Sequence, residues 1–168
     1  MRERCSMTRA PLTPSDARYV KPSRFDALFN RAVRRLVRMG ISVWGARDLR
    51  LKGRKSGQVR SNVVNLLELD GEQYLVAPRG TTEWVKNLRA AIEHGEGGEL
   101  RVGRRAEKFE ADELPDAEKG PILRAYLKRW KWEVGRFFEN VSADSSDAEV
   151  AGIAPGFPVF KIRRPSAS

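Results

Sequence analysis

The spacing of apolar residues changes period several times along the chain. Phe25, Leu28, Phe29, Ala32, Val33, Leu36 and Val37 recur at helical spacing, and Arg24, Arg31, Arg34, Arg35 and Arg38 load the opposite side. Ser23 stands in the N-cap position with Asp26 three residues on, and Gly40 closes the run, so the pattern predicts an amphipathic helix over 23–39. Leu49 and Leu51 then precede the run Gly53–Gly57, and Val63, Val64, Leu66, Leu67 and Leu69 follow it. This reads as strand, glycine turn, strand. Asp70-Gly71 is a second turn signal, leading into Tyr74-Leu75-Val76-Ala77. Pro78 through Thr82 breaks that strand. A short helix over 83–93 carries Trp84, Val85, Leu88 and Ile92, and Gly95, Gly97 and Gly98 end it.

Two further strands, 99–102 and 107–111, flank Gly103-Arg104. A long helix is predicted from Asp116 toward Asn140, with Gly120-Pro121 as an alternative point of division. Ser146-x-x-Glu149 carries a second capping-box signature, and Pro155-Gly156 leads into a last strand over 157–162. Five or six short strands joined by tight turns, with helices at the edges, imply an α+β fold built on an antiparallel barrel. The chain has 168 residues, which suits one domain over 23–168 behind a mobile N-terminal arm over 1–22. No GxGxxG follows a predicted strand and no GxxxxGK[ST] occurs, so neither phosphate-binding signature supports a nucleotide fold.

Charge changes this picture in one respect. The net charge is +10, but residues 1–60 hold 16 Lys/Arg against 4 Asp/Glu, leaving 16 against 18 for the rest. The positive field belongs to the N-terminal third. It suits an anionic small molecule, an anionic membrane surface or nucleic acid. A basic helix over 23–39 can rest on anionic lipid or simply close over the core. One cysteine, Cys5, excludes a disulfide within the chain and fits a cytoplasmic setting. With His94 as the one histidine, the donor set for a zinc site is lacking, so no metal is expected. His94 also stands at a predicted helix end, not in the place of a buried base.

The candidate chemistry lies in the first glycine turn. Gly53-Arg54-Lys55-Ser56-Gly57-Gln58-Val59-Arg60 gathers three cations, two glycines and a serine. Such a turn can offer guanidinium forks, a lysine charge and backbone N–H groups to a phosphate or carboxylate. It can equally be a solvated hairpin tip. The stretch from Tyr126 to Phe138 mixes Trp130, Trp132, Phe137 and Phe138 with Lys128, Arg129 and Lys131. That mixture can stack bases, but Trp130, Val134, Phe137 and Phe138 share one helical face, the pattern of core or pocket lining.

The order of these motifs carries a resemblance. Gly53-Arg54-Lys55-Ser56-Gly57-Gln58-x-Arg60, a strand, Asp70-Gly71, a second strand, Arg79-Gly80 and Trp84-x-x-Asn87-Leu88-Arg89-Ala90 follow one another. Together they resemble the deazaflavin-dependent nitroreductase and quinone reductase family of actinobacteria, most closely over 47–112. The resemblance implies a split β-barrel of the flavin-reductase type and coenzyme F420 as cofactor, ahead of FMN. It implies hydride transfer to a small-molecule acceptor such as a quinone, a nitro compound or an activated alkene. It also implies that the chain can form a homodimer. A cofactor- or lipid-binding barrel without turnover, and a basic membrane-surface or nucleic-acid binder, are the alternatives.

On this resemblance Arg54, Lys55 and Arg60 hold the cofactor's phosphate and acidic tail, with Ser56 and Gly57 adding hydroxyl and backbone contacts. Ala77, Pro78, Arg79, Gly80 and Thr81 line its ring and ribityl chain, and Trp84, Asn87 and Leu88 complete the wall. Charge-assisted bonds contribute about 1.5–3 kcal/mol each. Once association costs are met, three of them scarcely reach the ~8 kcal/mol of a micromolar complex, so the ring pocket must supply the rest. Tyr126 and Tyr74 are the candidate proton donors, and each also fits a packed aromatic. The chain departs from the family pattern where many members have proline at Val63 and a Ser-Lys-Gly-Gly run at Pro78–Thr81. Pro78 has no N–H to offer a ligand.

Overall fold

The computed structural model describes residues 19–20, 35, 45–138 and 141–165. Apart from Arg35, the helix expected over 23–39 lies outside the described residues, as does the arm before Tyr19. Among the described residues the elements run in the order β1 Ala46–Lys52, β2 Val59–Leu69, β3 Glu72–Val76, α1 Glu83–Glu93, β4 Gly98–Val102, β5 Arg105–Glu113, α2 Asp116–Val134, α3 Asp147–Ile153 and β6 Val159–Arg163. All strand pairs are antiparallel and the sheet closes on itself in the order β1-β2-β3-β6-β5-β4.

Two long strands bind the halves of this barrel together. β2 pairs with β1 from Val59 to Asn65 and with β3 from Leu66 to Leu69. β5 pairs with β4 from Arg105 to Phe109 and with β6 from Glu110 to Glu113. Consecutive residues of a strand face opposite sides, and here both sides are buried. Leu49, Leu51, Leu66, Leu75, Phe109 and Phe160 fill the barrel. Their neighbours Leu67, Val76 and Val159 face a second core outside it, closed by Ile122, Leu123, Tyr126, Leu127 and Trp130 of α2 and Val150 of α3.

α1 enters the barrel core with Trp84, Val85 and Leu88. Burying side chains of this size stabilises by roughly 1.5–3 kcal/mol each, which seats the helix against the strands. Arg89 adds a two-pronged clamp on Glu113 of β5, both bonds 2.7 Å. The β2–β3 turn uses Asp70 and Gly71 at φ of 52° and 78°, as an Asp-Gly hairpin requires. α2 runs straight through Gly120-Pro121 and is interrupted at Trp130 instead, where φ is −124° and ψ is 24°. Two helical stretches meet at that kink, the second ends at Val134, short of the expected end, and a 3-10 turn over Gly135–Phe137 follows. Ser146 and Glu149 form the expected capping box on α3.

Candidate functional site

The basic turn between β1 and β2 is closed by its own backbone. Gly53 N–H donates to Gln58 O and Gly57 N–H to Gly53 O, both at 2.8 Å. Gly57 has φ of +67°, a conformation that favours glycine. A side chain at Gly53 would come within 3.1 Å of both Gln58 O and Ser56 Oγ. Two glycines thus let a six-residue loop fold back tightly and project Arg54, Lys55 and Ser56 into solvent. Arg60 pairs in register with Leu51. It therefore shares the inner face of the sheet, at the end of the barrel where the turn lies.

This end of the barrel is also where α1 begins. Arg54 joins the two: its backbone N–H donates to Asn87 Oδ1 at 3.2 Å, and its guanidinium Nη1 donates to Asn87 Oδ1 at 3.0 Å and to Glu83 Oε2 at 2.9 Å. Asn87 is buried, and receiving two donors settles its amide oxygen. Hydrogen bonds from Arg54, then from Lys86, hold the Glu83 carboxyl below the usual carboxylate range. Arg54 is thus a pre-placed cation, while Lys55 and Arg60 have no carboxylate partner among the described residues.

The segment before α1 is a compact turn. Ala77 N–H donates to Pro158 O at 2.9 Å, Gly80 N–H to Ala77 O at 3.0 Å and Thr82 N–H to Gly80 O at 2.8 Å. Gly80 has φ of 77°. Tyr19 bridges Gly80, and Val20 N–H donates to Arg79 O at 3.0 Å. The Arg79 guanidinium lies over the Phe137 ring at 5.2 Å. Thr82 is the N-cap of α1 but its side chain caps nothing. Its buried Oγ1 has no hydrogen-bond partner among the described residues. Uncapped backbone N–H groups, a partial positive charge and a spare hydroxyl at one helix end suit an anionic or carbonyl-bearing ligand.

The structure sorts the sequence-predicted residues. Arg54, Lys55, Ser56, Gly57 and Arg60 gather on one rim, and Asn87 ties that rim to α1. Ala77, Gly80 and Thr81 are buried, while Pro78 and Arg79 are half-buried beside them. Trp84, whose ring centre is 5.8 Å from that of Phe160, and Leu88 fill the barrel core. They support the wall from behind. Tyr126 and Tyr74 belong to the outer core, on the other face of the sheet. The Tyr126 ring packs on Trp130 at 4.8 Å, and burial pushes its hydroxyl pKa up. Glu83 is the site residue that sequence reasoning missed. Its one signal was the i, i+4 spacing to Asn87 on the helix face nearest the turn.

A separate cleft of about 520 Å³ is lined by Arg50, Lys52, Arg101 and Lys108 with Gly95, Gly97 and Gly98. Arg50, Lys52 and Arg101 are already paired with Asp48, Glu96 and Glu99. This cleft contains none of the residues anticipated above.

The site sits on a closed six-stranded barrel, in a cationic turn tied to the start of the helix that follows β3. The family model described as F420H2-dependent quinone reductase matches residues 29–133, more than half of the chain, and the chain belongs to that family. It is an oxidoreductase whose cofactor is the deazaflavin F420. Among solved structures, an F420-H2 dependent reductase (FDR-A) superposes with a TM-score of 0.50 at 17% identity, covering 71% of this chain and 94% of its own. A structure described as a domain-swapped dimer gives 0.51 at 18%, covering 84% and 100%. A protein of unknown function from Agrobacterium tumefaciens gives 0.50 at 16%, covering 80% and 54%. A comparison with curated protein sequences found no match. At these identities the structural likeness establishes the split-barrel fold.

Proposed function

We propose that the chain reduces a quinone-type acceptor at the end of the barrel where the basic turn meets α1. Nitro compounds and activated alkenes are further acceptors of the same electronic character. The observation that carries this reading is the Arg54–Asn87 junction. It fixes a cation of the turn against the helix whose uncapped start faces the 77–82 segment. The donor set fits the cofactor, a long polyanion with a flat apolar head. Cations without carboxylate partners stand at one end, and a largely buried segment with an unpaired Thr82 hydroxyl stands at the other.

In this reading Arg54, Lys55 and Arg60 hold the phosphate and the acidic tail, and Ser56 and Gly57 add polar contacts. Ala77, Pro78, Arg79, Gly80 and Thr81 form the ring-side wall, backed by Trp84, Asn87 and Leu88. When bound, the reduced deazaflavin supplies a hydride to the acceptor. The chain's own part is to orient the two reactants and exclude water. Closure of the barrel core beneath Ala77 and Gly80 provides a dry, rigid floor for that.

The test is a fluorescence titration with F420, with FMN as control, followed by an acceptor screen with reduced F420. Micromolar or tighter deazaflavin binding and oxidation of reduced F420 by quinones are expected. Binding without turnover by any acceptor would assign a carrier role. Equal affinity for FMN would remove the placement of the site at the basic turn.

A further inference from the structure

We infer that Glu133 donates the proton that a quinone takes up on reduction, and that Asn65 holds its carboxyl beside the ring-side segment. This rests on the proposed function for the hydride and adds the source of the proton. The ladder between β2 and β3 ends at Leu66 and Leu75. One step further in the same register Asn65 stands across from Val76, the residue before the 77–82 segment. Faces alternate along a strand, so Asn65 lies on the outer face with Leu67 and Val76. Its amide donates to both Glu133 carboxylate oxygens at 3.3 Å, and the Tyr126 hydroxyl meets the same side chain. Three polar groups thus gather in a core otherwise made of Ile122, Leu127 and Trp130. Tyr126 is buried, while Asn65 and Glu133 are half-buried and open to a ligand. A second contact ties this part of the chain to the ring-side segment: Phe137, one turn beyond Glu133, lies beneath Arg79.

The surroundings keep this carboxyl neutral. β2 presents the uncharged Asn65 amide and β3 presents Tyr74, two residues before Val76. On α2 and the turn after it, Arg129 and Arg136 stack on Trp130 and Phe137 at 5.1 and 4.7 Å. Burial raises the Glu133 pKa, and the Asn65 amide opposes it only in part. A protonated carboxyl can donate a hydrogen bond to a carbonyl oxygen and then release its proton to it. A general acid works best when its pKa lies near the working pH. Burial moves Glu133 toward neutrality and moves the Tyr126 hydroxyl away from it. In the step, the quinone takes a hydride from the reduced deazaflavin, and with it two electrons. The Glu133 O–H bond breaks as an O–H bond forms on the quinone oxygen. The product is the hydroquinone, and water returns a proton to the carboxylate.

The experiment has two arms. In the first, duroquinone is titrated into the full chain without cofactor, following tryptophan fluorescence at about pH 5 and about pH 9. Its ring has no free position for Cys5 to attack. Binding should weaken severalfold at the higher pH, where Glu133 has lost its proton. Glu133→Gln, which keeps an acceptor for Asn65, should abolish that pH dependence, and Tyr126→Phe should keep it. Melting curves by circular dichroism establish that both variants are folded. In the second arm, duroquinone is reduced with reduced F420. Glu133→Gln should lower kcat about hundredfold with the F420 Kd unchanged, and Glu133→Asp should restore part of the rate. The parent rate should fall as pH rises through the Glu133 pKa, and the glutamine variant should lack that fall. Absence of duroquinone binding would overturn the inference, as would a pH dependence that survives in Glu133→Gln. A parent-like kcat in that variant would do the same. A pH dependence lost in Tyr126→Phe and kept in Glu133→Gln would make Tyr126 the donor instead. A parent chain that fails to oxidise reduced F420 removes the proposed function, while the first arm still decides whether Glu133 meets the quinone.

Discussion

Glu83→Gln should tighten cofactor binding, an unusual direction for a substitution at a binding site. Glu83 occupies the Arg54 guanidinium at 2.9 Å and Lys86 Nζ at 3.1 Å. Its side chain is 67% exposed, so the ion pair contributes no more than about 0.2–1 kcal/mol to stability. A bound phosphate would take up the same guanidinium and face the Glu83 carboxylate across it. One such like-charge contact at the surface costs about 1 kcal/mol, so its removal should lower Kd about fivefold at low salt. Asn87 still holds Arg54 at 3.0 Å in the variant, so the cation keeps its place. Fluorescence titration with F420 at low ionic strength and again near 1 M salt reads the effect. The gain should vanish at high salt, where the screening length is about 3 Å. Arg54→Ala in the same assay should raise Kd tenfold or more. Looser binding of the glutamine variant would mean that Glu83 aims Arg54 at the ligand. Unchanged binding in both variants would remove Arg54 from the site.

Arg60→Ala should raise the F420 Kd tenfold or more and Lys55→Ala about tenfold, with unfolding midpoints in urea near the parent value because neither side chain is packed. Burial raises the Glu133 pKa, so the folded state binds a proton more tightly than the unfolded chain. Stability therefore falls as pH rises through the window between the two pKa values. Glu133→Gln, which keeps an acceptor for Asn65, should raise Tm at pH 7, with the gain shrinking toward pH 4 in thermal melts. Gly97→Ala would push a methyl group into the Phe109 carbonyl and should destabilise by about 1–3 kcal/mol, read by urea unfolding.

Much of the frame was legible because turn chemistry is local. Asp70-Gly71, Gly103 and the glycines after α1 each fall where the chain reverses, and α1 spans the residues its apolar stripe marks out. The basic turn was legible for the same reason. What the pattern of β2 concealed was depth. Val63, Val64, Leu66, Leu67 and Leu69 alternate imperfectly because inner positions feed one core and outer positions another. α2 misled in the opposite way. Pro121 was the visible breaker, yet the helix continues past it, and the break came at Trp130, where the ring is buried against Tyr126. The Arg54–Asn87–Glu83 junction joins residues about thirty positions apart, and no local rule reveals such a pairing.

β2 and β5 also govern where this protein can change. A one-residue insertion in either strand would turn Leu66 outward and Leu67 inward, or do the same to their counterparts, and spoil two cores at once. Length variation is thereby driven into the connections, over 53–58, 77–82, 94–97 and 141–146. The first two of these hold the candidate site. An ancestral barrel of this kind could acquire new acceptors by editing its loops, while its strands stayed fixed to the residue.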